Sequence, residues 1–166
     1  HPMSELVIPR FGELLSPYIS QVPPEITPRF LALLERGAAS RYRGWAEMLP
    51  EHAEGLMKCS EAEDEIANRI EGAFHLDESL REKLEAPLPG ALNTYYEVFS
   101  QFSVWDQLRI QANAERQGAG AWQRIASTHP DPQVIEVLNS CSALELESAD
   151  YMDALIEAHA PDRVSN

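Results

Sequence analysis

Four glutamates carry what chemistry this sequence offers. Glu35, Glu63, Glu115 and Glu145 each fall within a run of apolar residues spaced three and four apart, the period of a helix face turned toward a core. Around Glu63 the stripe is Ala53, Leu56, Cys59, Ile66, Ile70 and Ala73, and around Glu145 it is Val134, Leu138, Cys141, Ser148, Met152 and Leu155. Glu115 shares a face with Trp105, Leu108, Ala112, Ala119 and Trp122. Glu35 sits nearer the edge of one formed by Leu31, Ala38, Tyr42, Trp45 and Leu49. A carboxylate on such a face must be protonated, paired with a cation or bound to a metal, because an isolated buried charge is too costly. The plain alternative for any one of them is a glutamate near a helix end that reaches water. Glu65 and Glu147 point away from their stripes and are expected to be solvated.

Other reactive residue types are sparser. Arg41 and Arg109 fall near the inner faces, where a guanidinium either pairs with the glutamates or snorkels from the edge. Cys59 and Cys141 occupy equivalent stripe positions one turn before Glu63 and Glu145. Small-residue packing is the default for both, with a disulfide or a thiol ligand pair as the alternative. His1 is terminal, His52 and His129 lie at turns, and His75 and His159 end helices, so surface or structural roles are expected. Tyr95, Tyr96, Phe99, Phe102 and Trp105 read as core, or else as the lining of a substrate cavity or a dimer face. No Ser/His/Asp set, glycine-rich phosphate loop or Cys/His zinc spacing is present.

The elements that hold these residues all read as helix; strict apolar–polar alternation over a strand's length is missing. An amphipathic lead-in covers residues 4–20 and stops at Val22-Pro23-Pro24. Thr27 as cap and Pro28 as first helical residue open a helix to about Leu49, and Pro50 opens a second to about Phe74. A connection from His75 to Gly90 contains a short charged helical piece, Asp77 to Glu85. A third long helix is predicted from about Ala91 to Ser127, loosened at Gly118 and Gly120, and a fourth from about Gln133 to Ala160. The domain organisation that follows is a lead-in over 1–25, one helical domain over 26–160 and a polar tail over 161–166.

The halves of the chain repeat. Cys59-Ser60-Glu61-Ala62-Glu63-Asp64-Glu65-Ile66-Ala67-Asn68 matches Cys141-Ser142-Ala143-Leu144-Glu145-Leu146-Glu147-Ser148-Ala149-Asp150, 82 positions later. Glu35-Arg36, Ala39, Tyr42, Ala46 and Pro50 match Glu115-Arg116, Ala119, Trp122, Ala126 and Pro130, 80 positions later. Two matches in the same order indicate a duplicated helical hairpin, and the duplication relates all four inward glutamates.

With these residues in place, the chain resembles the ferritin-like superfamily, in particular its bacterioferritin- and rubrerythrin-type bundles, over roughly residues 28–158. Those bundles hold two metal ions with one Glu from each of two helices and a Glu-x-x-His from each of the other two. Glu35 and Glu115 match the single-Glu positions. Glu63 and Glu145 match the start of the motif, with Ile66 and Ser148 where the histidines belong. The resemblance implies an all-α, ferritin-like four-helix bundle made of two duplicated hairpins with a crossover between them, and Glu35, Glu63, Glu115 and Glu145 as the metal set. The missing histidines weigh toward a metal-free relative with a binding or structural role. The alternative is a carboxylate-only iron or manganese oxidoreductase or oxygenase acting on a small molecule.

Composition narrows the partners. The 166 residues include 13 Lys and Arg against 27 Asp and Glu, a formal charge of −14, with no basic cluster for nucleic acid or an anionic membrane. His1-Pro2-Met3 is not followed by a basic and then an apolar segment, so no signal peptide is expected and Met3 reads as the native start. No apolar run is long enough to span a bilayer. Two cysteines within helical patterns fit a cytoplasmic protein. The expected partners are a small molecule in the bundle cavity and a second copy of the chain, because the lead-in Leu6–Ile19 and the aromatic run offer more apolar surface than one bundle needs.

Overall fold

The computed structural model describes residues 6–164, with side chains through His159, and every regular element among them is helical. The elements are α1 (Phe11–Ile19), α2 (Thr27–Met48), α3 (Ala53–Ala73), α4 (Arg81–Glu85), α5 (Leu88–Phe99), α6 (Val104–Thr128) and α7 (Pro132–Val164). Single 3-10 turns, Pro24–Ile26, Pro50–His52 and Glu78–Leu80, lead into α2, α3 and α4. No helix among the described residues is long and apolar enough to cross a membrane.

The long helices pack as two hairpins, α2 on α3 and α6 on α7, joined through contact of α3 with α7. Cys141 lies against Ile66, and Tyr151 covers Gly55, so α3 and α7 run antiparallel. Across the other side, Arg41 meets Gln111 and Trp45 meets Gln107, so α2 and α6 are antiparallel as well. Those two helices stand farther apart and meet mainly through long side chains.

The duplication is visible in the surface pairing of each hairpin. Arg36 of α2 reaches Asp64, Asn68 and Glu71 of α3, at 3.2, 2.8 and 2.8 Å. Its repeat equivalent Arg116 of α6 reaches Asp150 and Asp153 of α7, the equivalents of Asn68 and Glu71. Each cluster is partly solvent-exposed, so it fixes hairpin register more than it adds stability.

Several boundaries differ from the sequence reading. Thr27 does not cap α2 with its side chain; it is the first helical residue, its N–H bonded to Pro24, because the preceding 3-10 turn runs straight into the helix. The predicted helix 91–127 is two helices, broken at 100–103. Ser103 caps α6 by accepting from the Asp106 N–H, while Gln107 donates from Nε2 to the carbonyls of Phe99 and Phe102 at 3.0 and 2.9 Å. That one side chain satisfies carbonyls left open at the break and also accepts the Trp45 Nε1–H at 2.7 Å, a contact from another helix that periodicity does not register. The expected loosening at Gly118 and Gly120 does not occur; α6 passes through both. The tail expected from 161 is helical as far as Val164.

The lead-in is shorter than residues 4–20, its helix covering Phe11–Ile19, and residues 4 and 5 lie outside the described part. Phe11 stacks on Tyr95 at 5.0 Å and on Phe99 at 6.1 Å between ring centroids. Part of the lead-in thus packs on part of the aromatic run within the chain, while Val7, Leu14 and Tyr96 stay exposed. Phe11→Ala should lower the unfolding free energy by about 3–5 kcal/mol, measured by urea denaturation with an unchanged slope, because it empties the contact that pins α1 to α5.

Candidate functional site

On three of the long helices one glutamate separates two apolar clusters. Leu56 and Cys59 of α3 belong to one cluster, Ile66 and Ile70 to the other, and Glu63 lies between them. Glu115 stands likewise between Ala112 and Trp122 on α6, and Glu145 between Cys141 and Met152 on α7. The result is a polar layer across the core. Glu63, Glu115 and Glu145 are 1%, 2% and 2% exposed, while Glu35 keeps some accessible surface where it borders a cavity. Carboxylate oxygens of Glu35, Glu63 and Glu145 lie within 4.8 Å of one another.

Glu115 adjoins this trio and is fixed differently. Its Oε2 accepts from the Tyr42 hydroxyl at 2.5 Å and from Gln111 Nε2 at 3.0 Å. Both oxygens of Glu63 and Oε2 of Glu145 have no donor among the described residues other than a neighbouring carboxyl that carries a proton. Gly118 of α6 makes the space for Glu145: a Cβ there would sit 2.0 Å from Oε2. All four sequence-predicted glutamates therefore share one layer, three of them converging. Tyr42, Gln111 and Gly118 complete it. Tyr42 and Gly118 appear in the sequence as a core aromatic and a helix-weakening glycine, so only their distance to the carboxylates reveals the role.

Neither arginine forms an ion pair with the centre among the described residues, although the charge of Arg41 favours the ionised form of Glu35. Arg109 is exposed and pairs with Asp106 at 3.5 Å on its own helix. Arg41 lines the cavity but donates to Gln111 at 3.2 Å, and its guanidinium lies over the rings of Tyr95 and Phe99 at 4.3 and 5.0 Å. Among the described residues it forms no ion pair with a glutamate. Burial raises the pKa of Glu35 above the usual carboxylate value, opposed in part by a hydrogen bond with Glu63. Burial, then the neighbouring glutamates, push Glu63 and Glu145 well above it. Tyr42 is raised first by burial and next by Glu115, so it remains a hydroxyl donor.

The cysteines are free and buried, and burial lifts their thiols to about 12 for Cys59 and about 11 for Cys141, which makes them packing groups rather than thiolate ligands. Among the described histidines none joins the layer. His52 meets Trp105 edge-on at 5.8 Å, His159 stacks on Trp105 at 3.7 Å, His129 meets Phe74, and His75 is exposed. Glu65 and Glu147 are exposed, Glu65 paired with Arg69.

The residues fit a metal ion of the hard, oxygen-seeking kind. The donors are carboxylates alone, three oxygens are buried without a partner, and a side chain is missing at Gly118 where the cluster needs room. No family model, curated protein or solved structure matches the chain.

A pH signature follows for metal-free protein. Glu35, Glu63 and Glu145 hold protons in the folded state at pH values where the unfolded chain, with carboxyls near 4.5, has released them. The folded state then binds more protons than the unfolded one above that value, so the stability these three groups contribute is present at low pH and is lost as pH rises. In the presence of chelator the melting temperature should fall between pH 5.5 and pH 8. Glu63→Gln with Glu145→Gln should flatten that slope and raise the melting temperature at pH 8.

Proposed function

We propose that the chain is a ferritin-like four-helix bundle whose glutamate layer is a carboxylate-only centre for a hard divalent cation, manganese or iron, set beside a small-molecule cavity. The antiparallel pairing of α2 with α6 and of α3 with α7, with the 74–103 segment returning the chain between the hairpins, supports the bundle with its crossover. The observation that carries the metal reading is the pair of unpartnered Glu63 oxygens, buried with an unpartnered Glu145 oxygen, while Arg41 and Arg109 bond elsewhere. Orphaned acceptors at such depth call for a cation or for protons.

In this reading Glu35, Glu63 and Glu145 hold the cation, and Glu115 completes its surroundings. A bound manganese or iron would supply Lewis acidity and one-electron chemistry at the cavity wall. Tyr42 and Gln111 keep Glu115 oriented, and Tyr42 also places an O–H beside the centre from which a proton can be passed to or taken from Glu115. The apolar clusters on either side keep bulk water from two faces of the layer, which strengthens each electrostatic contact within it. Ile66 and Ser148 contribute no nitrogen ligand, so the centre is poorer in donors than the four-carboxylate, two-histidine set of the family it resembles.

The rival is a metal-free binding or structural protein whose carboxyls are neutral and share protons. It is favoured by the raised pKa values and by the missing histidines. Titration of chelator-treated protein with Mn(II), and anaerobically with Fe(II), separates the two. The proposal expects a saturable rise in melting temperature that Glu63→Gln with Glu145→Gln abolishes. Gly118→Ala should weaken that metal response at least tenfold by driving the Glu145 carboxylate from its place. A flat titration of the native protein would assign the layer to protons.

A further inference from the structure

Six buried side-chain atoms among the described residues lack a hydrogen-bond partner, and five of them belong to residues lining one cavity of ≈ 630 Å³. Three are the glutamate oxygens already placed. The other two are donors, Nε of Arg41 and Nε1 of Trp122. Unpaired donors and unpaired acceptors in the same cavity are the mark of a missing polar ligand rather than of loose packing, since within one apolar core they would otherwise find each other.

Arg41 decides the ligand's charge. Its guanidinium forms no ion pair among the described residues, although its charge reaches Glu35, and it is held in place by the rings of Tyr95 and Phe99 and by Gln111. The fork is thus pre-oriented, with Nε–H lacking an acceptor and Nη1 making no hydrogen bond among the described residues. A planar carboxylate matches a guanidinium edge with two parallel hydrogen bonds. A dianionic phosphate fits worse, because one arginine would face two charges a short way from four glutamates. The rest of the wall decides the ligand's body: Leu15, Ile19, Leu31, Leu34 and Ile125 are apolar, and Trp122 offers one N–H. We propose that this cavity binds a small monoanionic carboxylic acid with an apolar body, its carboxylate on Arg41 and its body against the wall beside the glutamate layer.

This names the ligand class for the site read above. Placing the ligand next to a reactive cation rests on that reading, but binding of the acid to Arg41 does not, so the two are tested apart. The full chain in EDTA is titrated with octanoate and, separately, with octan-1-ol, followed by calorimetry and melting temperature. Saturable 1:1 binding of octanoate, at least tenfold tighter than octanol, is expected. Arg41→Gln should bring octanoate to the level of octanol. If that variant does not fold, Arg41→Lys, which keeps the charge and loses the fork, should weaken octanoate severalfold and leave octanol unchanged. Equal affinity for acid and alcohol, no saturable octanoate binding, or full octanoate affinity in a folded Arg41→Gln protein would overturn the proposal. Octanoate binding at Arg41 together with a flat Mn(II) titration would remove the metal reading alone. A metal response without octanoate binding would remove this one alone.

Discussion

Like charges placed together in a dry interior repel strongly, and the structure is arranged around that repulsion. Four carboxyl groups share one layer with apolar clusters on both sides, so bulk water screens them poorly except where Glu35 borders the cavity. Every feature of the centre answers to this. Tyr42 and Gln111 donate to Glu115 and hold it in one orientation, and Gly118 gives Glu145 room. What remains, the open oxygens of Glu63 and Glu145, requires either protons or a cation. Both neutralise the same charge.

The duplicated hairpins divide their labour unequally. The residues that hold each hairpin together repeat faithfully: Arg36 and Arg116 reach equivalent acidic or amide partners on the neighbouring helix. The residues around the centre do not. Tyr42 donates to Glu115, whereas its equivalent Trp122 has a free Nε1–H in the cavity wall. Gly118 replaces the methyl group of Ala38, and Arg41 stands where the second half has Ala121. A symmetric scaffold with an asymmetric interior has its cavity on one side, between α2 and α6, which long side chains bridge. The lead-in helix and α5 pack over that side, and Phe11 and Tyr95 belong both to their contact and to the cavity wall. Losing this cover would open the layer to water and relax the repulsion that tunes it.

The sequence by itself determined the all-helical class, most of the long helices and the inward face of the four glutamates. Helical periodicity and the offsets of 80 and 82 residues are local or strictly repeated signals, so they survive without a partner in view. It also placed Glu65 and Glu147 outside, because a helix face is fixed by spacing alone. Tertiary structure decided everything that depends on a neighbour from another element. The break at 100–103 is held by Gln107, whose carbonyl oxygen is anchored by Trp45, and apolar spacing through that stretch is uninterrupted. Arg41 and Arg109 look alike in sequence, yet one lies over two aromatic rings in the cavity and the other on the surface, since a long side chain's course depends on what packs beside it. That Phe11 of the lead-in stacks on Tyr95 and Phe99 of the aromatic run is likewise invisible until the chain brings them together. Spacing along a helix tells which way a residue faces, whereas chemistry depends on what it meets there, and that is set by distances between residues far apart in the chain.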